Sequence, residues 1–306
     1  MRAAEPHVLV LGGTGFLGRP LAAALLDRGF SATMTGRRPP RHLLGRQSAF
    51  LAPHDLASPD FDPAALLAPL FERPLVAVIN LVSRTSGDRA AVWRDSFDSV
   101  RGVLATIDAA RARWPSVRLV HVGSIAEHGR APFQSAYGRA KRAARQALQA
   151  SGHCDVHALV GIVGGDNPRL VRDLERFDGI VARSPLLLDG FRLPYLCVDE
   201  AARQLAEVVR HAVERDAPRG PTVEVRLEHR WLTLRELRRE CLGRSDVGGA
   251  RRLDRVRLCG RELVERWRAR RDGSRRRLAL FCRLARLSGH PDQARWNHYA
   301  LLSPER

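Results

Sequence analysis

Tyr137 and Lys141, four residues apart, are the pair in this chain best suited to acid–base chemistry. Lys141 is the only lysine among 306 residues, and every other member of the Lys+Arg total of 51 is arginine. A bias toward arginine explains a lysine-poor chain but not the one lysine that survives. In a helix, side chains four apart stack on one face. Arginine replaces lysine where only positive charge is needed. It does not where a compact, rotatable ammonium must reach a ribose and a phenol together. A second candidate hydroxyl, Ser124, follows the apolar run Val117–Val122. Polar residues just past the carboxyl end of a parallel strand lie where open α/β sheets bind ligands.

The elements that must position these groups begin at the N-terminus. His7–Leu11 (HVLVL) reads as a buried parallel strand. Gly12-Gly13-Thr14-Gly15-Phe16-Leu17-Gly18 follows, and Pro20–Leu26 reads as a helix. Strand, glycine turn and helix in that order form a cradle for a pyrophosphate. One glycine makes the turn, one admits the phosphates, and one lets helix and strand pack closely. Gly12, Thr14, Gly15, Phe16, Leu17 and Gly18 are therefore expected to bind a dinucleotide. The strand Ser31–Thr35 ends in Gly36-Arg37-Arg38. An acidic residue there would suit the ribose 2′-hydroxyl of NAD, whereas Arg37 and Arg38 suit the 2′-phosphate of NADP, so NADP is favoured over NAD. Asp55, after a possible third strand, is expected near the adenine or as a turn cap. Leu75–Asn80 is a further strand, followed by Leu81-Val82-Ser83, with Leu81 expected against the cofactor. Helical periodicity runs over Ser99–Ala110.

Together these pieces resemble the short-chain dehydrogenase/reductase superfamily, in the extended branch of NAD(P)-dependent epimerases, dehydratases and reductases. The resemblance rests on GGTGFLG at Gly12–Gly18, VINLVS at Val78–Ser83, VGSIAEHG at Val122–Gly129 and YGRAK at Tyr137–Lys141. Leu193–Leu205 (LPYLCVDEAARQL) looks like the family's late strand and following helix. What this implies is an α/β fold: a Rossmann-type doubly wound parallel sheet with a smaller C-terminal substrate-binding region. The expected divisions are 1–165 for the dinucleotide, 166–250 for substrate, interleaved with the last sheet strand, and 251–306 as a basic helical extension. Tyr137 would be the general acid/base, Lys141 would hold the ribose and, with the nicotinamide charge, lower the phenol pKa, and Ser124 would orient the substrate oxygen. The activity implied is hydride transfer between a nicotinamide and a ketone or secondary alcohol. The alternatives are an epimerase or dehydratase of a nucleotide sugar without net redox, and a non-catalytic nucleotide-binding or membrane-peripheral protein. A homodimer is implied by resemblance alone.

Three positions depart from the family pattern. Ser99 stands where a helix Asn is usual, which puts a four-residue relay in doubt. Ala158–Gly165 lacks the family's Arg-Pro and Tyr-Gly steps. His128 replaces the aromatic of the VYG-type motif, and packing or hydrogen bonding explains it better than catalysis.

Charge and composition bound the rest. The formal net charge is +18, and 14 Arg against 4 Asp/Glu fall between Arg251 and Leu287. Such a balance favours anionic partners. Arg275–Leu287 (RRRLALFCRLARL) has helical apolar spacing with cationic edges. It reads as a helix packed on the body, or as one lying on an anionic membrane surface. Nucleic acid is disfavoured, because no recognisable module accompanies the basic patch. Arg169, Arg172, Arg183 and Arg192 could meet an anionic substrate, though solvated surface charge explains each one better. Thr233 and Glu236 have the spacing of a helix capping box. Five scattered cysteines and no metal-ligand spacing suggest free thiols and no metal. No apolar run reaches the ~20 residues of a membrane span, and no signal peptide is read at the start, so a cytoplasmic location, with membrane-peripheral as the alternative, is expected.

Overall fold

In a computed structural model of the chain, the described residues are 5–38, 48–51, 54–85, 87–128, 135–165, 167, 170–172, 174–175, 192–215 and 220–242. The basic stretch Arg275–Leu287, the extension 251–306, and Arg169 and Arg183 lie outside them.

Branched apolar runs build the centre. The strands β1 (His7–Leu11), β2 (Ser31–Thr35), β3 (Ser48–Phe50), β4 (Leu75–Asn80), β5 (Arg118–Ser124), β6 (Val156–Val160) and β9 (Val223–Arg226) form one seven-stranded sheet. Its order is β3-β2-β1-β4-β5-β6-β9, and every pair is parallel. Parallel neighbours need crossover connections, usually helical, which cover both faces and leave the strands buried and apolar. The helices are α1 (Gly18–Leu26), α2 (Pro63–Leu67), α3 (Arg89–Trp93), α4 (Val100–Arg113), α5 (Ala136–Ala150) and α6 (Val198–Glu214). On one face Leu9, Leu11 and Val78 pack with Leu66, Val103, Ile107, Ala144 and Leu148 of α2, α4 and α5. Helices α1 and α6 pack against each other. The expected strands at His7, Ser31 and Leu75 have the bounds read from sequence. The expected strand Val117–Val122 runs instead from Arg118 to Ser124, so Ser124 is its last residue.

The chain falls into two compact units. Met1–Gly161 and Cys197–Glu228 form the first. The expectation drew the line at residue 165, whereas the chain leaves this unit after Gly161 and returns at Cys197 to complete the sheet with β9.

The second unit contains β7 (Ile162–Gly164), β8 (Arg192–Cys197 as a strand), β10 (Arg230–Thr233) and α7 (Leu234–Leu242). Its three-stranded sheet has the order β10-β8-β7. Leu174, Tyr195, Leu232, Leu234 and Leu237 form its core. The expected capping box is present: the Glu236 amide donates to Thr233 Oγ1 at 3.2 Å, and the Thr233 amide donates to Glu236 Oε2 at 2.7 Å. Arg172 and Arg192 are exposed.

One buried imidazole ties the first two strands together. His7 bonds the hydroxyls of Ser31 at 2.7 Å and Thr33 at 2.8 Å. Burial, aided by the charge of Arg73, lowers its pKa from 6.5 to about 4. The unfolded chain therefore takes up this proton near pH 6.5, and the folded chain only near pH 4. Between those values the unfolded state binds more protons, so stability falls as pH drops through the window, by on the order of 3 kcal/mol. Urea midpoints measured from pH 7 to 4 should decline, with His121, also held neutral by burial, adding to the slope. His7→Gln should reduce that slope.

Candidate active site

The glycine turn is shaped by close approaches. Gly12 has φ of 75°, a left-handed conformation that favours glycine. A Cβ at Gly18 would lie 2.0 Å from the Gly13 carbonyl oxygen, so only glycine lets α1 start this close to β1. A Cβ at Gly36 would lie 2.2 Å from Thr14 Oγ1, which sets Thr14 against the end of β2. Gly15 and Phe16 are exposed, and the α1 cap residue Leu17 supplies no side-chain acceptor to the first-turn amides. In that first turn the Gly18 amide donates to Gly15 O at 3.2 Å and Pro20 has none, so what fits a phosphate is the positive end of the helix fronted by an exposed glycine. Leu81 continues from β4, its amide donating to Leu11 O at 2.9 Å, so the segment after β4 runs beside the glycine turn.

Arg37 and Asp55 both have protein partners. Arg37 bonds Asp95 in bidentate fashion at 3.1 and 2.9 Å. Asp95 is buried and also accepts from Arg84 Nε at 2.7 Å and Arg94 at 3.3 Å. It sits in a π-helical turn, Arg94–Asp98, between α3 and α4. Asp55 accepts from Arg94 and from the Ala57 amide. Burial opposes its charge, but these two donors hold its carboxyl below the usual range. Arg38 is exposed.

Three strand and helix ends bring the hydroxyls together. Ser124 ends β5, Ser83 follows β4, and Tyr137 lies in the first turn of α5. The Tyr137 hydroxyl hydrogen-bonds the side chains of both Ser124 and Ser83. Helix α5 starts here because Ser135 caps it, its Oγ accepting from the Gly138 amide at 3.0 Å. One turn on, Lys141 is buried and donates from Nζ to Val122 O at 2.7 Å. Ser83 was quoted in sequence only as part of a motif. The signal that marked Ser124, a polar residue just past a parallel strand, marks it equally.

Burial dominates the electrostatics. It raises the Tyr137 phenol to about 12, against the bonds from Ser124 and Ser83, and Glu127 pushes it the same way as burial. It lowers Lys141 from 10.5 to about 8, which Glu127 opposes. A phenol lowered by Lys141 and the nicotinamide charge was expected, whereas in the protein itself desolvation raises it.

The departures from the family pattern have structural partners. Ser99 is buried, and its hydroxyl donates to Asp95 O at 3.1 Å, within its own helical turn. His128 is half-buried and its pKa is lowered, chiefly by burial. Among the described residues no His/Cys/Asp/Glu cluster suits a metal, and Cys154, Cys197 and Cys241 are free thiols.

Comparison with known proteins adds to this geometry. A model described as the NAD dependent epimerase/dehydratase family matches residues 8–163. The chain is 33% identical over 160 residues to a protein named dTDP-6-deoxy-L-talose 4-dehydrogenase (NAD(P)(+)) from Kitasatospora kifunensis. That match covers 47% of this chain and 47% of the relative, about half of its length. A crystal structure of UDP-glucose 4-epimerase from Brucella ovis in complex with NAD aligns with TM-score 0.55 and 22% identity, over 76% of this chain and 80% of that one. The Bordetella bronchiseptica enzyme WbmG in complex with NAD aligns with TM-score 0.56 and 15% identity, over 81% of this chain and 83% of that one. These structural likenesses establish the shared fold.

Replacing Gly18 by alanine should drive a methyl into the Gly13 carbonyl. A loss of about 1–3 kcal/mol or more in a urea melt is expected, with a larger proportional loss of dinucleotide affinity.

Proposed function

Since the chain belongs to the NAD dependent epimerase/dehydratase family, we propose that it is an NAD(P)-dependent oxidoreductase acting on a ketone or secondary alcohol of a small sugar-like substrate. The observation that carries this is the Tyr137 hydroxyl held between Ser124 and Ser83, one helical turn from the buried Lys141. The relative named as a sugar 4-dehydrogenase supports the substrate class.

The residues divide the work as follows. The glycine turn and the start of α1 hold the dinucleotide phosphates. Ser124 donates to the substrate oxygen and orients it. Tyr137 passes a proton to that oxygen in reduction, or accepts it in oxidation. With its phenol near 12, Tyr137 is fully protonated at neutral pH, which suits the reductive direction. Lys141 holds a positive charge beneath the site and is the donor suited to the ribose hydroxyls. The nicotinamide, when bound, supplies or accepts the hydride.

NADP is preferred in this proposal. Support comes from Arg37, fixed by Asp95, and from Arg38 at the end of β2, where no carboxylate follows to receive a 2′-hydroxyl. Arg37, Arg84 and Arg94 against Asp95 and Asp55 leave a positive excess at this edge. An epimerase or dehydratase cycle without net redox is the second reading, favoured by the family itself and by the epimerases among the structural neighbours. The homodimer and the membrane contact through Arg275–Leu287 rest on resemblance and on sequence pattern.

Nucleotide-linked 6-deoxy sugars and their 4-keto forms, offered with reduced or oxidised cofactor, distinguish the two. A net change in nicotinamide absorbance is expected, whereas product without net change would favour the epimerase reading. Tyr137→Phe should lower kcat by about 10²-fold or more while the dissociation constant for NADPH, read by fluorescence, moves only a few-fold. Arg37→Ala should weaken NADP by about tenfold or more and NAD far less, as expected for loss of a charge-assisted bond. Equal losses would show that NADP is not read by this residue.

A further inference from the structure

Directly beneath the hydroxyl cluster lies a charged group with no part in the chemistry so far described. Glu127 is fully buried, in the short turn Ile125–His128 that follows β5. One carboxylate oxygen accepts from the Ser124 amide at 2.7 Å. The other meets His157 Nε2 of β6 at 3.1 Å and Arg145 Nε of α5 at 3.7 Å. The backbone of the same residue is pinned too, its carbonyl accepting from Arg142 Nε at 2.7 Å. A carboxylate taken wholly out of water is costly, so this one is expected to have a use.

The surroundings are built to admit it. A Cβ at Gly123 would fall 2.6 Å from Glu127 Oε1 and 2.4 Å from His157 Cε1. Glycine at 123 is thus the condition for the acid–imidazole pair to fit. His157 in turn stacks on His121, with ring centroids 5.3 Å apart, and His121 bonds Asn80. This closes a buried compartment under the end of β5. Lys141 enters the same compartment from α5, bonding Val122 O two residues before Ser124.

We propose that Glu127 is a positioning residue, which fixes the backbone of Ser124 and serves as the buried counter-charge to the Lys141 ammonium. The inference rests on the reading of Ser124 and Lys141 as parts of the reaction site. The electrostatics run in the required sense. Burial depresses Lys141 and Glu127 opposes that depression. The other charged or titratable groups facing the pair are Tyr137 of α5, whose phenol Glu127 pushes up, His121 of β5, His157 of β6, Arg142 and Arg145 of α5, and His128 of the turn. Glu224 of β9 engages Arg145 at 3.4 Å. His121 is held neutral by burial.

Because Lys141 is the only lysine, the full-length protein grown with 13Cε-lysine gives one lysine resonance, and its titration reads this site without assignment. The wild-type midpoint is expected near pH 8. Glu127→Gln should lower it by about one pH unit or more, and Glu127→Asp should lower it part of the way. The basic limb of kcat should move down in parallel with little change in KM, whereas mere structural damage would lower kcat at every pH. A Lys141 midpoint equal in wild type and folded Glu127→Gln overturns the proposal. If that variant does not fold, an unmoved midpoint in Glu127→Asp overturns it as well. Failure of the oxidoreductase reading shows separately, as wild-type protein that gives product without net change in nicotinamide absorbance or no turnover at all, and leaves the titration result standing.

Discussion

An ammonium group removed from water is the constraint around which the first unit is arranged. Lys141 is almost fully buried, with its Nζ on the Val122 carbonyl. Transfer of such an ion to a low-dielectric interior costs several kcal/mol unless bonds and opposite charge offset it. The end of β5, the first turns of α5 and the turn after β5 supply them together. The carbonyl comes from the strand, the lysine from the helix, and the proposed counter-charge, Glu127, from the turn between. A sheet whose strands are all parallel makes this possible, because the carboxyl ends of β1, β4 and β5 all open on one edge. The glycine turn, Ser83 and Ser124 occupy those ends.

The same edge carries a second buried carboxylate. Asp95 gathers Arg37, Arg84 and Arg94 from the end of β2, the segment after β4 and the π-helical turn. Three guanidinium groups on one carboxylate fix side chains that would otherwise sample many rotamers. A fixed guanidinium loses less entropy when it meets an anion. The two buried acids thus do different work at the two ends of one cleft edge. Asp95 organises cations that face outward, while Glu127 faces a cation kept inside.

Burial also decides the character of the Tyr137 hydroxyl. Tyr137 is bonded to two serines, yet desolvation holds its proton firmly. Under the proposed reading, the balance between desolvation and nearby charge sets which direction of proton transfer the site favours. Membership of the epimerase/dehydratase family is consistent with either outcome of that balance, since under the proposed reading oxidation and reduction both pass through this hydroxyl.

Much of this was legible in the order of residues. A period-free apolar run followed by glycines and then a helical pattern dictates strand, turn and helix, because local sterics and burial fix all three. The Tyr137 and Lys141 pair was legible from spacing, as was the Thr233 and Glu236 cap, since both depend only on helix geometry. Other features depend on residues distant in sequence, and packing alone decided them. His157 lies 30 residues from Glu127 and is its partner only because β5 and β6 are neighbours. Arg37 and Asp95, 58 apart, meet because β2 and the turn before α4 end at the same edge. Sequence determined which groups could do chemistry. The tertiary structure decided how much water each one keeps, and with it the charge each one carries.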